Sequence, residues 1–494
     1  MIPRVNPLRG LFVSALRILP LSTFRTVLLA LPMVLVGAAA AVLLPAHRAI
    51  ALAADSATTV NPSPTDTPIP LAMFPQACSS RTLIGIDPRD NVGYVPVYSL
   101  DPRGNAQLAV VDLTVGAAHP LRKLISLEHS VQPVALAYNP LNRTMLAEAR
   151  RADNRVLIYE IDIARQSVAH VIDATGLLQE PDGFAKNVWG PVKIQPVSGG
   201  IVVNLASNYA IVAGSAALGS LDISRSPPVW DPKSIVALDL NAESFALNSN
   251  TGLLFVSSLG TDALIDTGRK PFKEIPFARV PNRGITDGVA FDTSTNIVMH
   301  AEFDRADLAY AFNFATLDLN RRPAVADATA VPGLGFIPTV GPVPGGQTVI
   351  NCVTHQAVVA DGFGPNFRLI QMPRAAVEGP LNNRGQPGSG KAADPASAYT
   401  IAASTIPFGK LGGSLQARAA IVGDPSSLTV DPQRNLAYML ADDDIIYHRW
   451  IPGTKRPLFL VRVDLSKPVY GAGPAGGIDH KTFWHPGVDV IRMP

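Results

Sequence analysis

Cysteine is nearly absent, with two residues in a chain of 494. That excludes a disulfide-dense scaffold, a zinc ribbon and an iron–sulfur protein. Charge is scarce as well: Asp, Glu, Lys and Arg make up 16% of the chain, against about 25% in an average domain. Such a chain is neither disordered nor built to coat nucleic acid. Histidine occurs nine times, and no H-E-x-x-H, C-x-x-C-H or G-x-S-x-G pattern appears, which removes the common metalloprotease, haem-attachment and hydrolase-elbow signatures. Residues 385–391 imitate a phosphate loop. Ala392 stands where Ser or Thr would hold Mg²⁺, and no strand–helix frame surrounds it. Proline, at 44 residues, is abundant beside 39 glycines, which favours many turns over long helices.

The most telling absence is of acidic residues from positions 1–54, which hold Arg4, Arg9, Arg17, Arg25 and Arg48. An apolar run at 27–44 follows Arg25, and Ala51-Leu52-Ala53 offers a small-x-small cleavage site. Basic, apolar, then A-x-A is the order of a secretory signal. An uncleaved membrane anchor is the rival, since the run nearly spans bilayer hydrocarbon. Either way the remainder is exported, to the periplasm or beyond. Removing residues 1–54 takes five of the 41 basic residues, leaving 36 against 39 acidic ones and a net charge of −3. The basic character is thus an address label, and the expected partner is a cation or a neutral ligand, not nucleic acid. Residues 55–77, rich in Ser, Thr and Pro, read as a flexible leader. Residues 379–397 read as a surface insertion in the folded part, 78–494.

Within 78–494 one unit recurs: an apolar run, a turn opened by a polar residue, and a second apolar run. Seven copies are visible, with turn openers at 87, 139, 195, 248, 292, 355 and 431. Five openers are followed four positions later by Asn or Gly, a residue that accepts the left-handed backbone of a tight turn. These are Asp87 to Asn91, Gln195 to Gly199, Asn248 to Gly252, Asp292 to Asn296, and Asp431 to Asn435. The second copy closes at Asn142 and the sixth is shortened around His355. Asp or Asn at the opening can bond its own backbone two residues on. The mean repeat, about 57 residues, leaves room for two more strands beyond each hairpin, as at 108–113 and 122–128 or 156–162 and 168–174. Four antiparallel strands repeated seven times predict an all-β chain folded as a seven-bladed β-propeller, with six or eight blades as neighbouring solutions.

Asp431-Pro432 with Asn435 and Tyr438, and Asp87-Pro88 with Asn91 and Tyr94, follow a D-P-x-x-N-x-x-Y pattern. On this pattern the stretch 82–494 resembles exported bacterial propellers of the YVTN/lactonase-like and NHL-like superfamily. The full Tyr-Val-Thr-Asn signature is absent; Tyr94-Val95-Pro96-Val97 comes nearest.

In a propeller, loops leading into each inner strand share one face with the second-to-third loops, and the hairpin turns lie on the other. The first set supplies Gln132, Asn187, Glu243, Asp287 and Asp424. The second supplies Asp153, Asn208, Asp262, Asp304, Asp307, Asp361 and Asp442–Asp444. This face is rich in oxygen donors, which suit Ca²⁺. The resemblance to lactonases implies a channel ion held by Glu, Asn and Asp, for which Glu243, Asn187 and Asp287 have the matching types, with Asp424 as a further metal candidate. The bland reading is that these residues cap strand ends. Gln132 and Asn187, with Tyr447 and Trp450 on a rim beside the acidic run, are candidate binding residues; His129 beside Glu128 is a candidate acid or base. Cys78 and Cys352, if joined outside the cytoplasm, close a loop of about 270 residues worth roughly 5 kcal/mol, and the leader would then have to cross a face or the channel. The function expected is an exported binding module for a small-molecule or protein ligand at this face. The alternative is a Ca²⁺-dependent lactonase-like hydrolase at the channel mouth.

Overall fold

The computed structural model describes the chain from residue 81 to 493 except 154, 175–198, 205–206, 215–216, 239–241, 243, 259–260, 276–285, 294–296, 303–307, 314–333, 339–347, 361–365, 372–399, 406–419, 422–426, 443–457, 467–472 and 475–487. The signal, the leader and the 379–397 insertion therefore lie outside the described residues. No helix occurs among the described residues, and all regular structure is antiparallel sheet.

Five sheets are four-stranded meanders in chain order. The first runs Gly85–Asp87, Val92–Val97, Ala106–Asp112 and Leu121–Leu127. The second runs Gln132–Asn139, Thr144–Arg150, Val156–Asp162 and Ser167–Asp173. The third starts at Gly200–Asn204 and ends at Val229–Ala237. The fourth starts at Ser244–Asn248, and the fifth at Thr286–Asp292. Two further sheets have five strands: one opens with Thr348–Asn351, and in the other Ala420–Ile421 and Leu428–Asp431 both pair with Leu436–Asp442. The outer strands expected at 108–113, 122–128, 156–162 and 168–174 are present within a residue or two. In the third sheet the outer strand carries Pro232 and Lys233 and is half exposed, and in the fourth it has only three residues, Lys273–Ile275. Neither leaves a clean apolar alternation to read.

Each sheet packs its faces against its neighbours, so the middle strands are buried on both faces and read as continuous apolar runs. Tyr94, Leu136, Met145 and Ile201 share one core across the first three sheets. Val202, Phe245 and Leu254 form another between the third and fourth. Leu83, Ile86 and Val95 of the first sheet pack with Tyr438, Leu440, Leu460 and Met493 of the last. Arg462 also donates to the Leu113 carbonyl at 2.8 Å across that seam. Chain-order packing that returns from the last sheet to the first makes this a β-propeller.

The inner turns obey one rule, and it corrects three readings of the sequence. In six of the seven turns the residue four positions after the opener has positive φ: Asn91 (53°), Arg143 (51°), Asn208 (59°), Gly252 (72°), His355 (54°) and Asn435 (53°); Asn296, after Asp292, lies outside the described residues. The second turn thus closes at Arg143, not Asn142. The sixth opens at Asn351, with His355 as its closer. The third turn lies at Asn204 to Asn208, not Gln195 to Gly199, and this moves Asn208 from the carboxylate-rich face to the turn face. Openers Asp87, Asn139, Asn248, Asn351 and Asp431 each accept a hydrogen bond from the backbone N–H two residues on, at 2.9–3.1 Å. Seven residues past each opener lies a buried anchor: Tyr94, Leu146, Ile211, Phe255, Met299, Val358 and Tyr438.

The same openers stitch neighbouring sheets together. Asp87 meets Arg143 at 3.2 Å, Asp292 meets His355 at 2.8 Å, and Asn351 donates to Asn435 at 2.7 Å. Arg434, paired with Asp431 at 2.8 Å, donates to the Pro88 carbonyl at 2.9 Å and so ties the last sheet to the first. Asp431 is fully buried. Asp431→Ala is therefore expected to cost ~2–3 kcal/mol, the value of charge-assisted hydrogen bonds at a buried site. Asp431→Asn, which keeps the turn, should cost about half as much. Equal losses for the two in denaturant unfolding would contradict this belt.

Candidate functional site

Of the residues singled out from sequence, Gln132 begins the inner strand of the second sheet, and its buried side-chain Nε2 has no hydrogen-bond partner among the described residues. Asp287 is the second residue of the inner strand Thr286–Asp292. Asn187, Glu243, Asp424, Tyr447, Trp450 and Cys78 lie outside the described residues. Among the described residues, no three His, Cys, Asp or Glu side chains gather as a metal site. Two of the face carboxylates follow the capping reading: Asp262 is buried and takes the Ser257 hydroxyl, while Asp153 forms ion pairs with Arg151 and Arg155 at the surface. His129 is a turn residue with φ 69°, its N–H bound to Asn105 at 2.9 Å.

Sequence reading missed the most unusual cluster, which lies in the channel. The inner strand of every sheet has one edge free of sheet partners, and those edges face the axis. The Leu136 N–H on the second sheet's inner edge donates to the Thr82 carbonyl at 2.6 Å. On the fourth sheet's inner edge, the Phe245 carbonyl accepts the Arg81 N–H at 3.1 Å. Only a segment lying in the channel can reach both edges. Arg81 is fully buried there.

Around Arg81 stand Glu148 and Arg150, which share one face of the second strand of the second sheet. Opposite them Gly199 and Gly200 lead into the third sheet. A Cβ on Gly200 (φ 143°) would sit 2.7 Å from Arg81 Cδ, and one on Gly199 (φ 104°) 2.7 Å from the Ala213 carbonyl oxygen and 3.0 Å from Glu148 Oε1. The glycine pair, which looks like a hairpin turn in the sequence, instead makes room for these charged side chains. Glu148 is fully buried, and among the described residues neither oxygen has a hydrogen-bond partner of good geometry. Burial pushes its pKa up to about 7; Arg150, Arg81 and the Gly200 N–H pull it back only in part. A carboxyl that titrates near neutrality would suit acid–base chemistry. It is buried in the channel, within electrostatic reach of Arg150 and Arg81.

A second feature lies on the turn side of the third and fourth sheets. A groove of about 510 Å³ is lined by Tyr209, Asp222, Arg225, Trp230, Asp231 and Lys270, among others. Lys270 is paired with Asp231 and lies 5.9 Å from the centre of the Tyr209 ring. Asp222 is 3.4 Å from Arg225. Its charges balance in pairs, so the groove favours a neutral polar ligand over an anion or a cation.

No protein family and no curated protein matches the chain in sequence. Among solved structures, a Bacteroides uniformis protein assigned provisionally as a 6-phosphogluconolactonase is 11% identical over 58% of this chain and 80% of that chain, with a TM-score of 0.41. Hydrazine synthase of Kuenenia stuttgartiensis is 11% identical over 67% and 93% (TM-score 0.39), and the WD40 domain of Toxoplasma gondii coronin 13% over 61% and 69% (TM-score 0.35). At these identities and TM-scores the likeness says nothing of substrate or role.

Proposed function

We propose that the protein is an exported, seven-bladed β-propeller that works as a binding module for a small-molecule or protein ligand. The blade number rests on the seven described sheets and on the Arg434–Pro88 link that returns the ring to its start. Export is supported by the basic–apolar–A-x-A order of the first 54 residues. The observation that carries the binding role is the filled channel. Where a propeller hydrolase would place its site, the chain inserts its own Arg81 and Thr82, while the groove beside Tyr209 and Trp230 stays open. Its volume falls within the few hundred to about 1,000 Å³ of small-molecule sites.

Calorimetry with Ca²⁺ and turnover assays on a lactone panel separate this role from the hydrolase. The binding module predicts no turnover on any lactone, with or without Ca²⁺. Turnover that a chelator abolishes would overturn it. A neutral polar ligand that raises the Tm of the wild type but not of Lys270→Ala would locate the site in the groove.

A further inference from the structure

Glu160, on the third strand of the second sheet, is fully buried. Its one ionic neighbour among the described residues is His170, half exposed, whose Nε2 lies 4.0 Å from Oε2 and so beyond hydrogen-bond reach. Ser226, in the loop between the last two strands of the third sheet, donates its hydroxyl to Oε2 at 2.8 Å. Oε1 is buried and has no hydrogen-bond partner among the described residues. A buried carboxylate is ordinarily held by a countercharge, with both oxygens satisfied. Glu160 has neither.

A second unmet group enters the same seam. Glu160 is paired with Leu146 and His170 across its own sheet, so all three side chains share the face that meets Ser226. Trp230, paired with Leu221 in the third sheet, packs against the core that holds Leu146, Leu221 and Ile223. A Cβ on Gly219 would lie 3.0 Å from Trp230 Cζ3. The indole therefore rests that edge on its own sheet and turns the opposite edge, with Nε1, away from it. Nε1 is buried and donates to no group among the described residues. The seam thus holds a negatively charged acceptor, an unused donor and an aromatic ring.

We infer that this seam between the second and third sheets binds a small primary ammonium ion that carries a neutral oxygen, an amino alcohol in its simplest form. The ammonium supplies the missing countercharge and donates to Glu160 Oε1. The oxygen accepts the Trp230 N–H, and the methylene groups lie along the indole. His170 is the cover, and its half-exposed ring turns outward to admit the ligand. Glu160 repels an anion, and a neutral diol leaves its charge uncompensated. Trp230 also lines the groove beside Tyr209, whereas Glu160 and His170 do not. The inference therefore goes beyond the binding role proposed above: a neutral ligand lost in Lys270→Ala tests the groove, and an ammonium ion lost in Glu160→Gln tests the seam.

The test is calorimetry of the full chain with ethanolamine in phosphate buffer, with ethylamine and ethylene glycol as controls. A nitrogen–proton correlation spectrum follows the indole signals of the four tryptophans, and Trp230→Phe identifies the Trp230 signal by its loss. Ethanolamine should bind and shift that signal. Ethylamine should bind about fivefold more weakly, the value of one neutral hydrogen bond, and ethylene glycol should not bind. Glu160→Gln should weaken ethanolamine binding on the order of 100-fold, and Trp230→Phe should remove its advantage over ethylamine. If Glu160→Gln does not fold, the three ligands on the wild type still decide. Ethanolamine without heat or indole shift, ethylene glycol binding as well as ethanolamine, or undiminished binding to Glu160→Gln would each overturn the inference.

Discussion

Gly200→Val is expected to destabilise the protein by about 4 kcal/mol, the combined scale of a backbone held in a glycine-only region and an overpacked core. Gly200 has φ 143°, and a Cβ there would fall 2.7 and 2.8 Å from Arg81 Cδ and Cγ and 3.1 Å from Phe245 Cζ. Arg81 has little room to step aside: its backbone is tied to Phe245 and its side chain is fully buried. Gly116→Ala is the control: φ is 71° and nothing lies within 4 Å of the added Cβ, so only a strain of about 1 kcal/mol is expected. Denaturant unfolding of the two variants side by side separates close approach from backbone strain. A Gly200→Val loss no larger than that of Gly116→Ala would mean that Arg81 does not occupy the channel.

The second large effect is a pH dependence that Glu148→Gln removes. Burial raises the Glu148 pKa from 4.5 to about 7 in the folded chain. The folded pKa is the higher one, so the folded state binds this proton more tightly than the unfolded state does. The stabilisation is complete below pH 4.5 and is lost as the pH rises through 7. The shift corresponds to about 3 kcal/mol between the two limits. The wild type should therefore lose stability between pH 5 and pH 8 relative to Glu148→Gln, whose profile stays flat across that window. Parallel profiles for the two proteins would show that Glu148 titrates like an exposed carboxyl and is not buried in the channel.

The β class, the repeat and most outer strands were legible because they are local. An apolar run, a turn opened by Asp or Asn, and a left-handed residue four positions on leave their mark within a few residues. The errors arose where that mark was imitated or disguised. At 195–200 a proline and two glycines imitate a hairpin turn, although the glycines serve the approach of Arg81 and Glu148. The true turn has the same spacing in Asn204 and Asn208, and polar residues at both ends were the available signal. At Arg143 a long side chain occupies a conformation that Asn usually takes, because its guanidinium is needed by Asp87 and Asp90 at 3.2 and 3.0 Å. His355 has the same reason in Asp292.

The channel cluster was not legible at all. Arg81, Glu148 and Gly200 come from three separate parts of the chain, and each looks ordinary where it stands. Only closure of the propeller brings them together. No spacing rule encodes a contact whose parts meet across the axis, whereas a turn carries its own geometry in sequence. The carboxylate-rich face follows the same logic. Its members sit on separate sheets, and Asp262 and Asp153 are already engaged by neighbours.

An experimental density map of the full chain at about 3 Å tests the central claim most directly, since strands 4.7–4.9 Å apart are then separated. The expected map shows seven sheets around one axis, the last packed on the first through Tyr438 and Leu83, with an arginine side chain in the channel between Gly200 and Glu148. An open arc of sheets, a different number of them, or an empty channel at Arg81 would contradict it.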